Sequence, residues 1–184
     1  IKKRQEEFPN LKPLDIHEVE KEDTIKVGNV RVRFFSVYHT IPDSMGIVIE
    51  TQYGDIVFTG DLRLDHVDGI PTETEEKEFS WFADRKVLFL GADSTNVERP
   101  GFSLPERVVK ENLDEIIAKT PGRLIIRTFS SQLERLMRMI EQAERVGRKI
   151  LIEGRSMKVN IEIVKQLGML KVSDKTFIDA AQLE

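Results

Sequence analysis

The sequence predicts an α/β fold: a strand-rich first part, then a doubly wound second part built on a parallel sheet. Three observations carry this. Before Pro100, β-branched and aromatic residues crowd into short runs that alternate apolar with polar. After Pro100, apolar runs alternate with longer stretches of helical periodicity, the pattern of βαβ units. The hydrophobic content, 40%, supports a core and excludes a disordered chain.

The elements follow in order. IKKRQEEFPN, residues 1–10, reads like the tail of a helix. IKVGNVRVRFFSVYH, residues 25–39, alternates at Val30, Val32 and Phe34 and reads as strand. GIVIETQYGDIVFTGD gives two β-branched runs around Gln52-Tyr53-Gly54, a hairpin with glycine where positive φ is wanted. Residues 62–73 are loop-like, 75–84 suit a short helix, and Lys86 to Leu90 is a buried strand running into a polar turn. SLPE is a capping box with proline near the first helical position, so a helix runs from about Leu104 to Lys119. RLIIRT is a strand, and SSQLERLMRMIEQAERVGRK is a helix with Leu133, Leu136, Met137 and Ile140 on one face. KILIEG is a further strand, and a helix covers about Met157 to Leu167. The boundary between the parts falls near residue 102, giving units 1–101 and 102–184.

Composition narrows the chemistry. The 184 residues suffice for one ordinary domain or pieces of two. There is no cysteine, so no disulfide and no thiolate metal site; this suits a cytoplasmic protein. A metal here is held by His, Asp or Glu, donors that suit zinc, manganese or magnesium. No apolar run reaches membrane-spanning length, so no membrane partner is expected. The net charge of −4 does not itself predict a nucleic-acid partner, yet permits a local basic channel.

In a parallel α/β sheet, ligands bind beyond the carboxyl ends of the strands. His39 and Asp61 occupy such ends with one hairpin between them, so they can meet. Together they suit a zinc site; separately, His39 bonds a loop and Asp61 caps the turn after Gly60. Asp93 follows VLFLGA in the same way. Of the three histidines, His17 and His66 sit in polar and loop-like stretches and are expected to be solvated. Ser130, Ser131, Arg155 and Ser156 stand at helix starts, where hydroxyls and free N–H groups either bind phosphate or simply cap the helix. EVEKED and TETEEKE are expected as solvated faces, and Trp81 and Phe82 as packing.

Several strings are more specific than their spacing. HTIPDS resembles the histidine motif HSIPDS of the ribonuclease J family. TGDLRLD resembles that family's metal-aspartate motif, ADSTNVERPGFSLPE its acidic motif, and TFSSQLERL and GRSM the next two turns of its β-CASP domain. Order and spacing match along essentially the whole chain. The resemblance implies the second half of a metallo-β-lactamase αββα domain followed by the first half of a β-CASP domain. It implies metal-dependent hydrolysis of RNA, endonucleolytic and 5′-to-3′ exonucleolytic, by a cytoplasmic dimer or tetramer. It further implies that His39 is a zinc ligand, that Asp61 bridges two zincs, and that Asp93 is catalytic beside them. Ser130, Ser131, Arg155 and Ser156 would line the RNA-phosphate path.

The departures matter as much. The HxHxDH motif, the later HxSGH motif and the final metal histidine are not in this sequence. Thr40 replaces the usual serine, and Gln132 stands where the family often has Asn or His. The chain therefore reads as a fragment, inactive alone, whose parent is the enzyme. A non-catalytic β-CASP-like module that binds RNA or protein, and a relative acting on another phosphodiester, are the competing readings.

Overall fold

The computed structural model describes residues 5–6 and 8–182. Half of the helix tail expected at residues 1–10 falls outside them, as do Leu183 and Glu184. The first part is a five-stranded sheet, β1 Thr24–Val27, β2 Val30–Ser36, β3 Met45–Thr51, β4 Gly54–Phe58 and β7 Val87–Gly91, in the order β1-β2-β3-β4-β7. The first four strands are antiparallel neighbours, and β7 joins β4 in parallel. The run expected as one strand from residue 25 is two. Gly28, at φ 60°, turns the chain back, so that Val27 pairs with Val30. The hairpin at Gln52-Tyr53 forms as expected, with Gly54 at φ 142° and Thr51 paired with Gly54.

The crossover from β4 to β7 carries a small ladder, β5 His66–Val67 with β6 Ile70–Pro71, and helix α1, Glu73–Ser80. Thr72 caps α1 by accepting from the Glu75 amide, and α1 starts two residues before the expected segment. One face of the sheet packs Phe35, Val37, Val48 and Val57 against Leu62, Phe79 and Phe82. Phe82 stands edge-on to Phe35 at 5.0 Å, so it packs as expected, while Trp81 covers the Arg85 guanidinium at 4.1 Å.

The second part holds α2 Glu106–Lys119, α3 Leu133–Arg145 and α4 Arg155–Gln166. Its core is Ile140, Ile161, Val164 and Leu170, with Leu133, Met137, Ile150 and Phe177 around them. The parallel sheet expected here is not formed among the described residues. RLIIRT makes no ladder, and Ile125 is 93% exposed. KILIEG contributes one parallel bridge, Ile150 to Phe177. A strand is defined by its neighbour's hydrogen bonds, and these two segments do not pair with each other.

Three local expectations are corrected. Ser103 does not cap α2; the Asp65 carboxylate accepts from the Glu106 amide at 3.3 Å instead. Glu75, in the run expected as a solvated face, is 5% exposed. His66 is not solvated: it is buried, with Nε2 donating to the Ser103 carbonyl at 2.7 Å and Nδ1 accepting from the Gly69 amide at 3.0 Å. His17 is exposed as expected, beside Asp15.

Candidate active site

The loops after β2 and β4 leave the sheet side by side, because β2 and β4 flank β3 and point the same way. The Arg63 amide donates to the Tyr38 carbonyl at 2.8 Å, which fixes this adjacency. As a result, His39 Nε2 lies 3.8 Å from Asp61 Oδ2. Asp61 is mostly exposed, and the His39 ring is largely enclosed. The pair expected from strand-end logic is thus brought together.

Asp93 joins the same rim from the end of β7. Its amide donates to the buried Thr59 hydroxyl at 3.1 Å. Its carboxylate accepts from the Thr95 amide at 2.8 Å and from the Leu62 amide at 3.2 Å. The Thr95 amide and hydroxyl, then the Leu62 amide, hold this carboxyl below its ordinary range, with His39 adding a smaller pull. Asp93 therefore stays ionised while splinting the loop that follows Asp61.

The serine turns are linked to this rim and to each other. The Thr40 carbonyl accepts from the Glu134 amide, in the first turn of α3, at 3.5 Å. The Ser130 carbonyl accepts from Asn160 Nδ2 of α4 at 2.8 Å. Ser131 is exposed just before α3, and its carbonyl accepts from the Leu133 amide. Arg155 and Ser156 are exposed at the start of α4. Gln132 is engaged by the Thr128 hydroxyl at 2.8 Å.

An imidazole and a carboxylate 3.8 Å apart fit a zinc site in kind but not in number. Among the described residues, no group of three or more His, Asp or Glu side chains converges to hold a metal ion. Zinc takes at least three protein ligands, one more than this pair supplies.

Sequence reasoning missed the groups that hold the rim together. Arg63 and Arg135 both bond Glu106, whose side chain is 4% exposed. Burial pushes the Glu106 carboxyl up, but the Arg135 hydrogen bonds and the charges of Arg135 and Arg63 outweigh it and hold the group below its ordinary range. Burial also pushes the Tyr38 hydroxyl far above its ordinary range, helped by Glu134 and Glu106, so it stays protonated. The available signal was a basic residue two positions after Asp61 and an acid opening α2.

A family profile described as "Ribonuclease J, beta-CASP domain" matches residues 121–184. Ribonuclease J of Thermus thermophilus is 38% identical over 185 positions, covering 96% of this chain and 31% of that protein. This chain belongs to the ribonuclease J family. Ribonuclease J of Sinorhizobium meliloti is 40% identical over 149 residues, covering 81% of this chain and 26% of that protein. Ribonuclease J2 of Bacillus subtilis is 28% identical over the whole chain and 33% of its own length. The chain thus spans about a third of the length of these ribonuclease J relatives. A solved protein of unknown function from Enterococcus faecalis V583 matches with TM-score 0.64 over 92% of this chain and 42% of its own, at 19% identity, a likeness of fold alone.

Proposed function

We propose that this chain carries part of the active site of a metal-dependent ribonuclease, which hydrolyses RNA phosphodiesters endonucleolytically and from the 5′ end. The observation that carries the reading is the 3.8 Å approach of His39 to Asp61, at strand ends that the sheet sets side by side. In this reading, residues 1–101 are the later part of a metallo-β-lactamase domain, and residues 102–184 open the β-CASP domain. The protein works as a cytoplasmic homo-oligomer on RNA.

His39 and Asp61 would be ligands of a zinc pair, with manganese or magnesium as alternatives. When bound, such a pair supplies Lewis acidity and a water acidified toward neutral pH. The remaining work belongs to the chain. His39 presents Nε2 from a largely enclosed ring, so its orientation is set before any ligand arrives. Asp93, kept ionised by three N–H and O–H donors, holds the Asp61 loop and adds negative potential at the rim. The turns at Ser130-Ser131 and Arg155-Ser156 offer hydroxyls, a guanidinium and helix N-terminal amides to successive phosphates. Fixing the RNA backbone against the rim supplies part of the rate through positioning.

Two donors do not complete a site, so the 184 residues alone should bind zinc poorly and leave RNA uncut. The same shortfall favours a second reading, a non-catalytic β-CASP-like module that binds RNA. Elemental mass spectrometry separates the two. The expected result is essentially no zinc on the isolated chain, and about two zincs per subunit of the full-length protein, reduced by His39→Ala. Full-length protein without metal supports the binding module. An isolated chain that holds zinc through His39 would sink the claim of an incomplete site. Competition by DNA of equal length tests whether RNA is the substrate.

A further inference from the structure

We propose that Glu106 is a positioning residue of this site: clamped between Arg63 and Arg135, it holds the Asp61 loop against the strand end that carries His39. The inference rests on the hydrolase reading above, and extends it to residues outside the ligand and phosphate sets.

The geometry is a buried carboxylate between two guanidiniums. Glu106 Oε2 accepts from Arg63 Nη1 at 2.6 Å and from Arg135 Nη2 at 2.9 Å, and Oε1 accepts from Arg135 Nε at 3.0 Å. A second Arg63 nitrogen donates to the Leu104 carbonyl. The Arg63 side chain is 21% exposed and that of Arg135 20%, so these charges are partly desolvated and depend on one another.

Arg63 gives the cluster its reach. Its amide bonds the Tyr38 carbonyl, one residue before His39, and it lies two residues after Asp61. The same loop is pinned again where Asp65 Oδ1 accepts from the Glu106 amide at 3.3 Å. One residue, the first of α2, therefore holds the Asp61 loop by side chain and by backbone. Through Arg135 it also holds α3, whose first turn bonds the loop after His39. A mere helix-to-helix tie would need only Arg135. The structure has a separate tie of that kind, since Asp114 of α2 pairs with Arg138 of α3 and reaches no loop of the site.

Removing the Glu106 charge leaves two guanidiniums facing a neutral group. Their repulsion and their need for water pull the Asp61 loop from α2. The reacting groups lose alignment, whereas the phosphate-facing turns keep theirs, because the Asp114–Arg138 pair still ties α3 to α2 and Asn160 still holds the Ser130 carbonyl. The loss should therefore appear in kcat and leave KM nearly alone.

The test compares Glu106→Gln with Asp114→Asn in the full-length protein. Glu106→Gln is expected to lower kcat on a short RNA at least tenfold, with KM within about threefold. Hydrogen exchange should quicken most in peptides covering 38–40 and 61–66 and stay unchanged in β1–β4 and in α4. Asp114→Asn should change neither, and Glu106→Asp should recover part of the loss. Unchanged exchange at 61–66 in Glu106→Gln overturns the clamp, as does equal loss of kcat in both variants. Wild-type protein that cuts no RNA overturns the hydrolase reading instead, and with it the positioning role; exchange then still reports whether the clamp itself exists.

Discussion

Burial pushes two carboxylates of this chain the same way, and their neighbours give them opposite outcomes. Glu75 is buried beside Asp65 and Glu78; desolvation, then those two charges, push its carboxyl up against the pull of the Asp65 amide. Its charged form is therefore a net cost to folding near neutral pH, relieved as pH falls toward its folded value. Glu75→Gln should raise stability near neutral pH and lose that advantage below about pH 4, where the wild-type group is protonated in both states. Urea unfolding at several pH values reads this, and a destabilised variant at neutral pH would refute it. Glu50 behaves the other way. Burial pushes it up, but hydrogen bonds from Arg85 and Arg33 and the charges of Arg33 and Arg31 hold it below its ordinary range. The stability it contributes is whole above the unfolded carboxylate value, about pH 4.3, and disappears as pH falls through the lower folded value. Arg85→Ala removes a partner from Glu50 and the 2.5 Å partner of buried Asp55, and it uncovers Trp81. That variant should cost about 3 kcal/mol in denaturant unfolding. None of these pairings is visible in TETEEKE or in DRK, because each depends on which strand lies opposite.

The elements follow their periods where a partner is near in sequence and fail where the partner is distant. The β3–β4 hairpin was readable because its turn residues and its β-branched arms lie together. The strands read at RLIIRT and KILIEG have the right residues, but no described neighbour supplies their ladder. Helix α2 was read from SLPE, whereas its N-terminus is satisfied by Asp65, far back in the chain. Packing of the first sheet depends on the missing side chain of Gly46, whose place the Phe35 ring takes. Gly46 stands opposite Phe35 in register, and a Cβ there would meet the Phe35 ring at 2.3 Å and the Phe58 carbonyl at 2.8 Å. Gly46→Ala should therefore destabilise the sheet by about 1–3 kcal/mol, by overpacking rather than through φ. Thermal unfolding followed by circular dichroism would show it as a lower midpoint, and an unchanged midpoint would mean the Phe35 ring moves aside freely.

For the whole molecule, the decisive feature is a sheet that is apolar on both faces. One face packs under α1; the other presents Val32, Phe34, Ile47, Ile49, Ile56, Phe58 and Phe89. Phe58 and Phe89 lie 5.6 Å apart there, 40% and 52% exposed. Strand β7 adds an edge whose Val87, Leu88 and Leu90 are also exposed. Exposed apolar surface of this extent favours association with a covering partner. The 184 residues alone should associate with rising concentration. Sedimentation velocity on wild type and on a Phe58→Lys, Phe89→Lys double variant checks this: the variant should sediment as a smaller species. Equal behaviour would show that this face is not where association occurs.

The sequence by itself determined the family, the order of its motifs and the types of most elements, because these rest on residues close together in the chain. It also marked His39, Asp61 and Asp93 as the residues to watch, since strand ends are recognisable from strand periods. Only the tertiary structure decided that His39 meets Asp61, that His66 and Glu75 are buried, and that Glu106 gathers Arg63 and Arg135. The physical reason is range. Periodicity is set by backbone geometry over a few residues, whereas the partner of a charge is set by topology, which brings together residues tens of positions apart.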